Sequence, residues 1–398
     1  LGYEVTLAST YPCEPVEGVE ADVCLPVAFA GLVGSGKGDG RGGGAVGTAG
    51  PDPARPNLAK KLVSSFRSAF LAGRYLLGPL TLRHYGSKLR WLAERIQPDV
   101  IHALRIPFEG MLATYAPDRI PLVVSIWGND LTLHATGSAQ MAAMTRKTLQ
   151  RADGLLADTQ RDVGLARRWG FAEGNPGLVV PGSGGVDIAE LNAVRSVGER
   201  VGSSFDHLFP PDKALVINPR GFRTGSVRQD TFFAAVPFIL ERRAEVSFAC
   251  AAMAGEREAL RLVEQHHLQN KVTLLPKLAQ PDLWGLFARA EVTVSVSQHD
   301  GTPNSLLEAM SLGAFPVAGD IESIREWITP GVNGLLVEPG KPQSLAEAVL
   351  LALEHADLRA RAAESNKQLV AERASAEMVR EKVRIFYEGV AASREIPV

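Results

Sequence analysis

Asp300 and Glu308, with seven residues between them, are the two positions in this 398-residue chain with the clearest chemical use. An apolar run, Val292–Val296, reads as a buried strand and ends in a polar loop that carries Asp300. A helix is expected from near Pro303, with Thr302 as its N-cap and Pro303 at its first position. The free N–H groups around Asn304–Leu306 would face out with the positive end of the helix dipole, an arrangement that suits a diphosphate. Gly301, Thr302, Pro303, Asn304, Ser305 and Leu306 are therefore candidate donor-binding positions. A carboxylate beside a diphosphate is electrostatically unfavourable, so Asp300 and Glu308 are read as acceptors of sugar hydroxyl hydrogen bonds. The alternatives are an Asx turn for Asp300 and a helix-dipole charge for Glu308. A second strand, Ala214–Asn218, is followed by Arg220, Arg223 and Arg228, which by themselves read as three surface arginines.

Positioning such a loop needs parallel sheets. Apolar strand runs alternate with helical patterns along the whole chain. In the first half they fall at Glu4–Ala8, Asp99–Ala103, Leu122–Ile126, Gly154–Ala157 and Leu178–Val180. In the second half they fall at Ala214–Asn218, Val246–Ala251, Val272–Leu275, Val292–Val296, Phe315–Ala318 and Gly334–Val337. The expected fold is α/β, with two doubly wound, Rossmann-like sheets in series. The domains read as 1–190, 191–373 and a terminal helix with its tail at 374–398. Pro181–Asp187 closes the first sheet. The opening Leu1-Gly2-Tyr3-Glu4 reads as an α/β unit entered after its first strand and helix, as if the natural start were missing.

Composition narrows the partners. Hydrophobic residues are 45%, charged residues 22%, and the formal net charge is −2. Nothing favours nucleic acid, and an anion site must be a local cluster. Cys13, Cys24 and Cys250 lack zinc-site spacing and read as reduced thiols of a cytoplasmic protein. No metal is expected. No apolar run is long enough to span a membrane. The glycine-rich tract 31–50 reads as a disordered loop. Its near-matches to a P-loop and to GxGxxG lack, respectively, the Ser or Thr after Lys37 and a following helix. Residues 60–95 carry Lys60, Lys61, Arg67, Arg74, Arg83, Lys88, Arg90 and Arg95 against one acid, Glu94. They read as an ordinary surface helix or as a basic face for peripheral contact with the inner membrane surface.

The segment Asp300 to Glu308-Ala309-Met310, with Gly313-Ala314-Phe315-Pro316-Val317, Glu322, Glu326 and Gly331-Val332-Asn333-Gly334-Leu335, resembles the donor-site signature of family 4 retaining glycosyltransferases of the GT-B fold. The likeness covers nearly all of 210–390. It implies a nucleoside-diphosphate sugar as co-substrate, no cofactor or metal, and transfer of a hexosyl group to an acceptor hydroxyl with retention. It implies that Glu308 holds the donor ribose, that Asp300 contacts the donor sugar, and that Arg220 grips the diphosphate. The family has Glu at position 300, about 1.5 Å longer. Its phosphate Lys has no counterpart here, which leaves Arg228, with Arg223 as rival. The first half resembles the acceptor domain more loosely. Trp127 stands where many members have His, and Gly128, Asp130 and His134 are the acceptor-side candidates, with Asp130 also a candidate catalytic group. Gly184, Gly185 and Asp187 match a structural turn near the hinge, and the terminal helix is expected to cross back onto the first domain. Glycan, lipid-linked and small-molecule acceptors all fit, in cell-surface glycan, glycolipid or polysaccharide synthesis. Two other readings are a nucleotide-sugar epimerase and a catalytically inactive GT-B nucleotide-binding protein.

Overall fold

The structure, a computed structural model, describes residues 2–11, 21–28, 67–193, 205–223 and 225–393. The glycine tract 31–50, with both its phosphate-motif near-matches, and residues 60–66 lie outside the described residues, as do 194–204.

Strands β1 (Ala8–Ser9) and β2 (Val23–Cys24) form a small parallel pair. Helix α1 (Arg67–Ile96) follows, and then β3 (Ile101–Ala103), β4 (Leu122–Ile126), helix α2 (Ala139–Arg151), β5 (Gly154–Ala157), helix α3 (Gln160–Arg168) and β6 (Gly177–Val179). Strands β3-β4-β5-β6 lie in that order in one parallel sheet, separate from the β1-β2 pair. Strands β4 and β5 are apolar at nearly every position, Ser125 excepted, because helices cover both faces of the sheet. Side-chain oxygens of Ser138 and Thr159 cap α2 and α3, accepting from the amides of Met141 and Asp162.

The second half runs β7 (Ala214–Asn218), α4 (Gln229–Arg242), β8 (Val246–Cys250), α5 (Arg257–Gln265), β9 (Val272–Leu274), α6 (Gln280–Arg289), β10 (Val292–Ser295), α7 (Asn304–Leu312), β11 (Phe315–Gly319) and β12 (Leu335–Val337). The sheet order is β12-β11-β10-β7-β8-β9, all parallel. This is the doubly wound arrangement, and its order reverses between β7 and β10. Gly313, at φ +94°, stops α7 in the left-handed conformation expected of a helix-ending glycine.

Helices α8 (Pro342–Glu354), α9 (Ala356–Ala374) and α10 (Ala376–Ala392) complete the chain. The passage from α9 to α10 runs through the Gly184–Asp187 turn. Val186 donates its amide to the Ala374 carbonyl at 2.7 Å and accepts from the Ala376 amide at 2.9 Å. Gly185, at φ +89°, has no room for a Cβ against Ala374 and Ala376. Helix α10 then packs Val379, Phe386 and Val390 onto Val123, Leu156 and Val180 of the first sheet, so the terminal helix does cross back. Tyr387 Oη and His102 Nδ1, 2.6 Å apart, fix it in place, while His102 Nε2 lies 2.7 Å from Ser125 Oγ. Burial pushes His102 down to about 4, so it stays neutral near neutral pH.

Candidate active site

Strands β7 and β10 are neighbours, so the loops leaving their carboxyl ends meet at the point where the sheet order reverses. Asn218, the last residue of β7, accepts the Arg220 amide on Oδ1 and donates through Nδ2 to Gln229 Oε1. Gln229 donates in turn to the carbonyl of Arg220. This buried clip turns the Arg220 guanidinium, 6% exposed, onto Asp300 at 2.6 Å. The Asp300 carboxylate also accepts from Ser297 Oγ at 2.9 Å and from the Gly301 amide at 3.1 Å. Helix α7 starts beyond this loop. Glu308, half-buried in its second turn, has its carboxyl pushed upward by burial, partly offset by Trp284 and Gln280 of α6.

The helix begins one residue later than the sequence predicts. Pro303 is the cap position and Asn304 the first helical residue. Thr302 is not the cap: its hydroxyl donates to the Asp158 carbonyl at 2.8 Å and accepts from Trp327 Nε1 at 2.9 Å. The amide of Leu306 is taken by Pro303, which leaves Asn304 and Ser305 at the start of the helix without intrahelical partners. Ser305 Oγ, buried, has no hydrogen-bond partner among the described residues.

The same loop forms a seam with the first half of the chain. Arg161, at the start of α3, donates through Nη2 to the Asp300 carbonyl at 3.0 Å, the Gly128 carbonyl at 2.9 Å and Asp162 Oδ1 at 2.7 Å. A Cβ on Gly128 would collide with the backbone of Asp300 and Gly301, and one on Gly301 with Asp158. Glu326 accepts the amides of Gln160 and Arg161, placing a carboxylate on the amino end of α3. Gly301 and Thr302 are thereby engaged with the facing domain.

Other sequence-named residues sit as follows. Arg228 is held by Asp230 through two bonds, Nε to Oδ1 at 2.9 Å and Nη2 to Oδ2 at 2.6 Å, so its fork is already filled. Arg223 is exposed, makes no ion pair among the described residues, and stands close enough to Arg220 to act on it electrostatically. Asp130 is a correction. It is 0% exposed, pairs with Arg105 at 2.9 Å, and accepts the amides of Ile106 and Trp127. It ties the loops after β3 and β4 together and does not line the cleft. His134 Nδ1 lies 2.6 Å from Tyr75 Oη, and burial, with Arg105 and Arg74 nearby, pushes it down to about 4. Sequence reading missed Arg105, Glu109, Asp158 and Arg161. Each directly follows a strand or opens a helix at the carboxyl edge of the first sheet, which was the available signal.

Two parallel sheets facing each other across a seam, the second of them doubly wound, with a terminal helix that crosses back onto the first, define the GT-B class of nucleotide-sugar folds. Comparison with known proteins agrees. The family described as Glycosyl transferases group 1 matches residues 209–369, and that described as Glycosyl transferase 4-like domain matches residues 2–182. The chain belongs to the family 4, group 1 glycosyltransferases. It is 32% identical over 109 residues to the GDP-mannose:cellobiosyl-diphosphopolyprenol alpha-mannosyltransferase of Xanthomonas campestris, covering 27% of this chain and 29% of that enzyme. It is 25% identical over 141 residues to the alpha-D-kanosaminyltransferase of Streptomyces kanamyceticus, covering 35% and 36%. The matched stretch is thus well under half of either relative. Among solved structures, Anabaena Alr3699/HepE in complex with UDP-glucose superposes with a TM-score of 0.63 at 18% identity, over 77% of this chain and 82% of that one. Sucrose-phosphate synthase from Thermosynechococcus elongatus gives 0.63 at 15%, over 79% of each chain.

Proposed function

We propose that the protein transfers a hexosyl group from a nucleoside-diphosphate sugar to an acceptor hydroxyl with retention of anomeric configuration, in cell-surface glycan, glycolipid or polysaccharide synthesis. The observation that carries this is the meeting of Arg220, Asp300 and the start of α7 at the switch point of the second sheet. In this reading the amides of Asn304 and Ser305, with Arg220 and Arg223, neutralise the charge that builds on the departing diphosphate. Glu308 accepts the ribose hydroxyls, and Asp300, oriented by Arg220 and Ser297, faces the sugar. The chemistry needs no metal, because guanidinium groups and a helix terminus supply the positive charge. An acceptor at a membrane surface agrees with the outer side of α1, where Leu76, Leu77, Leu80 and Trp91 are exposed on the same helix as Arg83, Lys88 and Arg90.

Replacing Glu308 with Ala is expected to weaken UDP or GDP binding about tenfold or more, the equivalent of ~1.4 kcal/mol for two hydroxyl contacts to a carboxylate. Calorimetry reads this directly. Unchanged affinity would remove Glu308 from the ribose site.

A further inference from the structure

The carboxyl edge of the first sheet holds a polar cluster that the donor site does not use. The segment after β3, Ile106–Gly110, turns through a non-helical backbone at Pro107 and Phe108, and Phe108 takes φ +69° and ψ −49°. A bulky residue in that region is strained and persists only where its surroundings hold it. Gly78 of α1 leaves the space: a Cβ there would lie 2.8 Å from the Phe108 ring. The Arg74 guanidinium lies over both the Phe108 ring, at 4.6 Å, and the Tyr11 ring, at 5.0 Å. It makes no ion pair among the described residues, and its Nε is buried without a hydrogen-bond partner there. Glu109, next to Phe108, accepts from Thr10 Oγ1 at 3.1 Å through Oε1, while its Oε2 is buried with no partner among the described residues. Burial pushes the Glu109 carboxyl upward, against the nearby charge of Arg105.

Arg105 links this cluster to the donor loop. It pairs with Asp130 and lies 5.6 Å from the centre of the Trp127 ring, which is 51% exposed. The next residue, Gly128, abuts Asp300 and Gly301. The remaining neighbours are Tyr75 and a neutral His134. Among the described residues the cluster therefore presents a guanidinium that has no ion pair, with the Glu109 carboxyl acting on it electrostatically, a carboxyl oxygen without a donor, and, through Arg105, an exposed aromatic ring whose next residue abuts the loop of Asp300.

We propose that Arg74, Glu109 and Trp127 form an acceptor subsite for a phosphate-bearing acceptor. Arg74 binds the phosphate, Glu109 Oε2 accepts a hydroxyl hydrogen bond, and Trp127 stacks on a sugar ring or an apolar chain. A guanidinium held over two rings is preorganised for a phosphate edge and loses little freedom on binding. This rests on the transferase reading above, and it adds the charge class of the acceptor.

The test uses the full chain with two probes, geranyl phosphate and glucose 1-phosphate, in the presence of whichever of UDP or GDP raises the melting temperature, so that the donor site is filled. Wild-type protein is expected to bind at least one probe, Arg74→Gln to bind it about tenfold or more weakly, and Arg74→Lys to fall between. The nucleotide-induced melting shift should be the same in all three. Loss confined to geranyl phosphate assigns a lipid phosphate, and loss confined to glucose 1-phosphate a soluble sugar phosphate. Wild-type affinity in Arg74→Gln, or no binding of either probe by wild type, overturns the proposal. If Arg74→Gln does not fold, wild-type affinity in Arg74→Lys overturns it equally. Absence of any nucleotide shift counts against the donor reading instead, and probe binding measured without nucleotide then decides this one.

Discussion

Arg220 Nη2 and Asp300 Oδ2 are bonded to each other at 2.6 Å, so the cation expected at the diphosphate and the carboxylate expected at the sugar form one unit. The pairing has a physical use. A bare carboxylate beside a diphosphate would repel it, and a guanidinium shared between the two removes that repulsion. Because Arg220 is nearly enclosed, burial lowers its pKa while Asp300 raises it. Removing it leaves Asp300 with only Ser297 and an amide. Arg220→Ala is therefore expected to lose stability on the order of 3 kcal/mol, as for a buried pair broken on one side. It should also bind UDP or GDP about tenfold or more weakly. Urea unfolding and calorimetry check the two effects separately, and Arg220→Lys should recover part of the first.

Arg161 joins carbonyls from both halves of the chain, Gly128 on one side and Asp300 on the other. Arg161→Gln should loosen the seam and leave the nucleotide site standing. The expected outcome is a larger radius of gyration by solution scattering, with nucleotide affinity within about threefold of wild type. A strong loss of nucleotide affinity with unchanged dimensions would contradict this.

Asp158 sits at the same seam. Burial, with Asp162 and then Asp300 adding to it, pushes its carboxyl up to about 7, against a hydrogen bond from the Gly182 amide. The folded state thus holds a proton that the unfolded chain releases near pH 4. Its contribution is fully present below that pH and is lost as pH rises towards 7. Asp158→Asn lacks this loss. Its stability relative to wild type should rise between about pH 4 and 7, by an amount on the order of a few kcal/mol, and then level off. Urea unfolding across that range reads the difference. The buried His102 and His134 are common to both proteins and cancel.

Asn333 separates support from chemistry. It donates to the Trp327 carbonyl and to Asn366 Oδ1, both at 2.9 Å, and accepts the Thr329 amide at 2.7 Å. Asn366 donates back to its carbonyl. Asn333→Ala orphans buried groups and should cost on the order of 2–3 kcal/mol of stability. Nucleotide affinity of the folded protein should be unchanged by calorimetry.

Strand identity was legible because each run buried on both faces is largely apolar, with Ser125 and Asn218 the polar exceptions. Leu122–Ile126, Gly154–Ala157 and Ala214–Asn218 fall where the hydrophobic pattern puts them. The strand read at Glu4–Ala8 shortens to Ala8–Ser9, and its partner Val23–Cys24 was not legible, since a two-residue strand carries no period. The stop of α7 at Gly313 was readable from residue type, its start only to within one residue, because Thr302 is drawn away by Asp158 and Trp327.

By itself the sequence determined the class of fold, the family signature and the two carboxylates bracketing a helix start, since these depend on residue type and spacing along the chain. Tertiary structure alone decided which charges are free. Arg228 is paired with Asp230 and Asp130 is sealed beneath Arg105, while Arg74 lies over two rings with no ion pair among the described residues and with Glu109 acting on it electrostatically. The reason is that an ion pair is set by distances of a few ångströms between residues that are often far apart in the chain. Hydrophobic periodicity records which face of an element is buried and carries nothing about those distances.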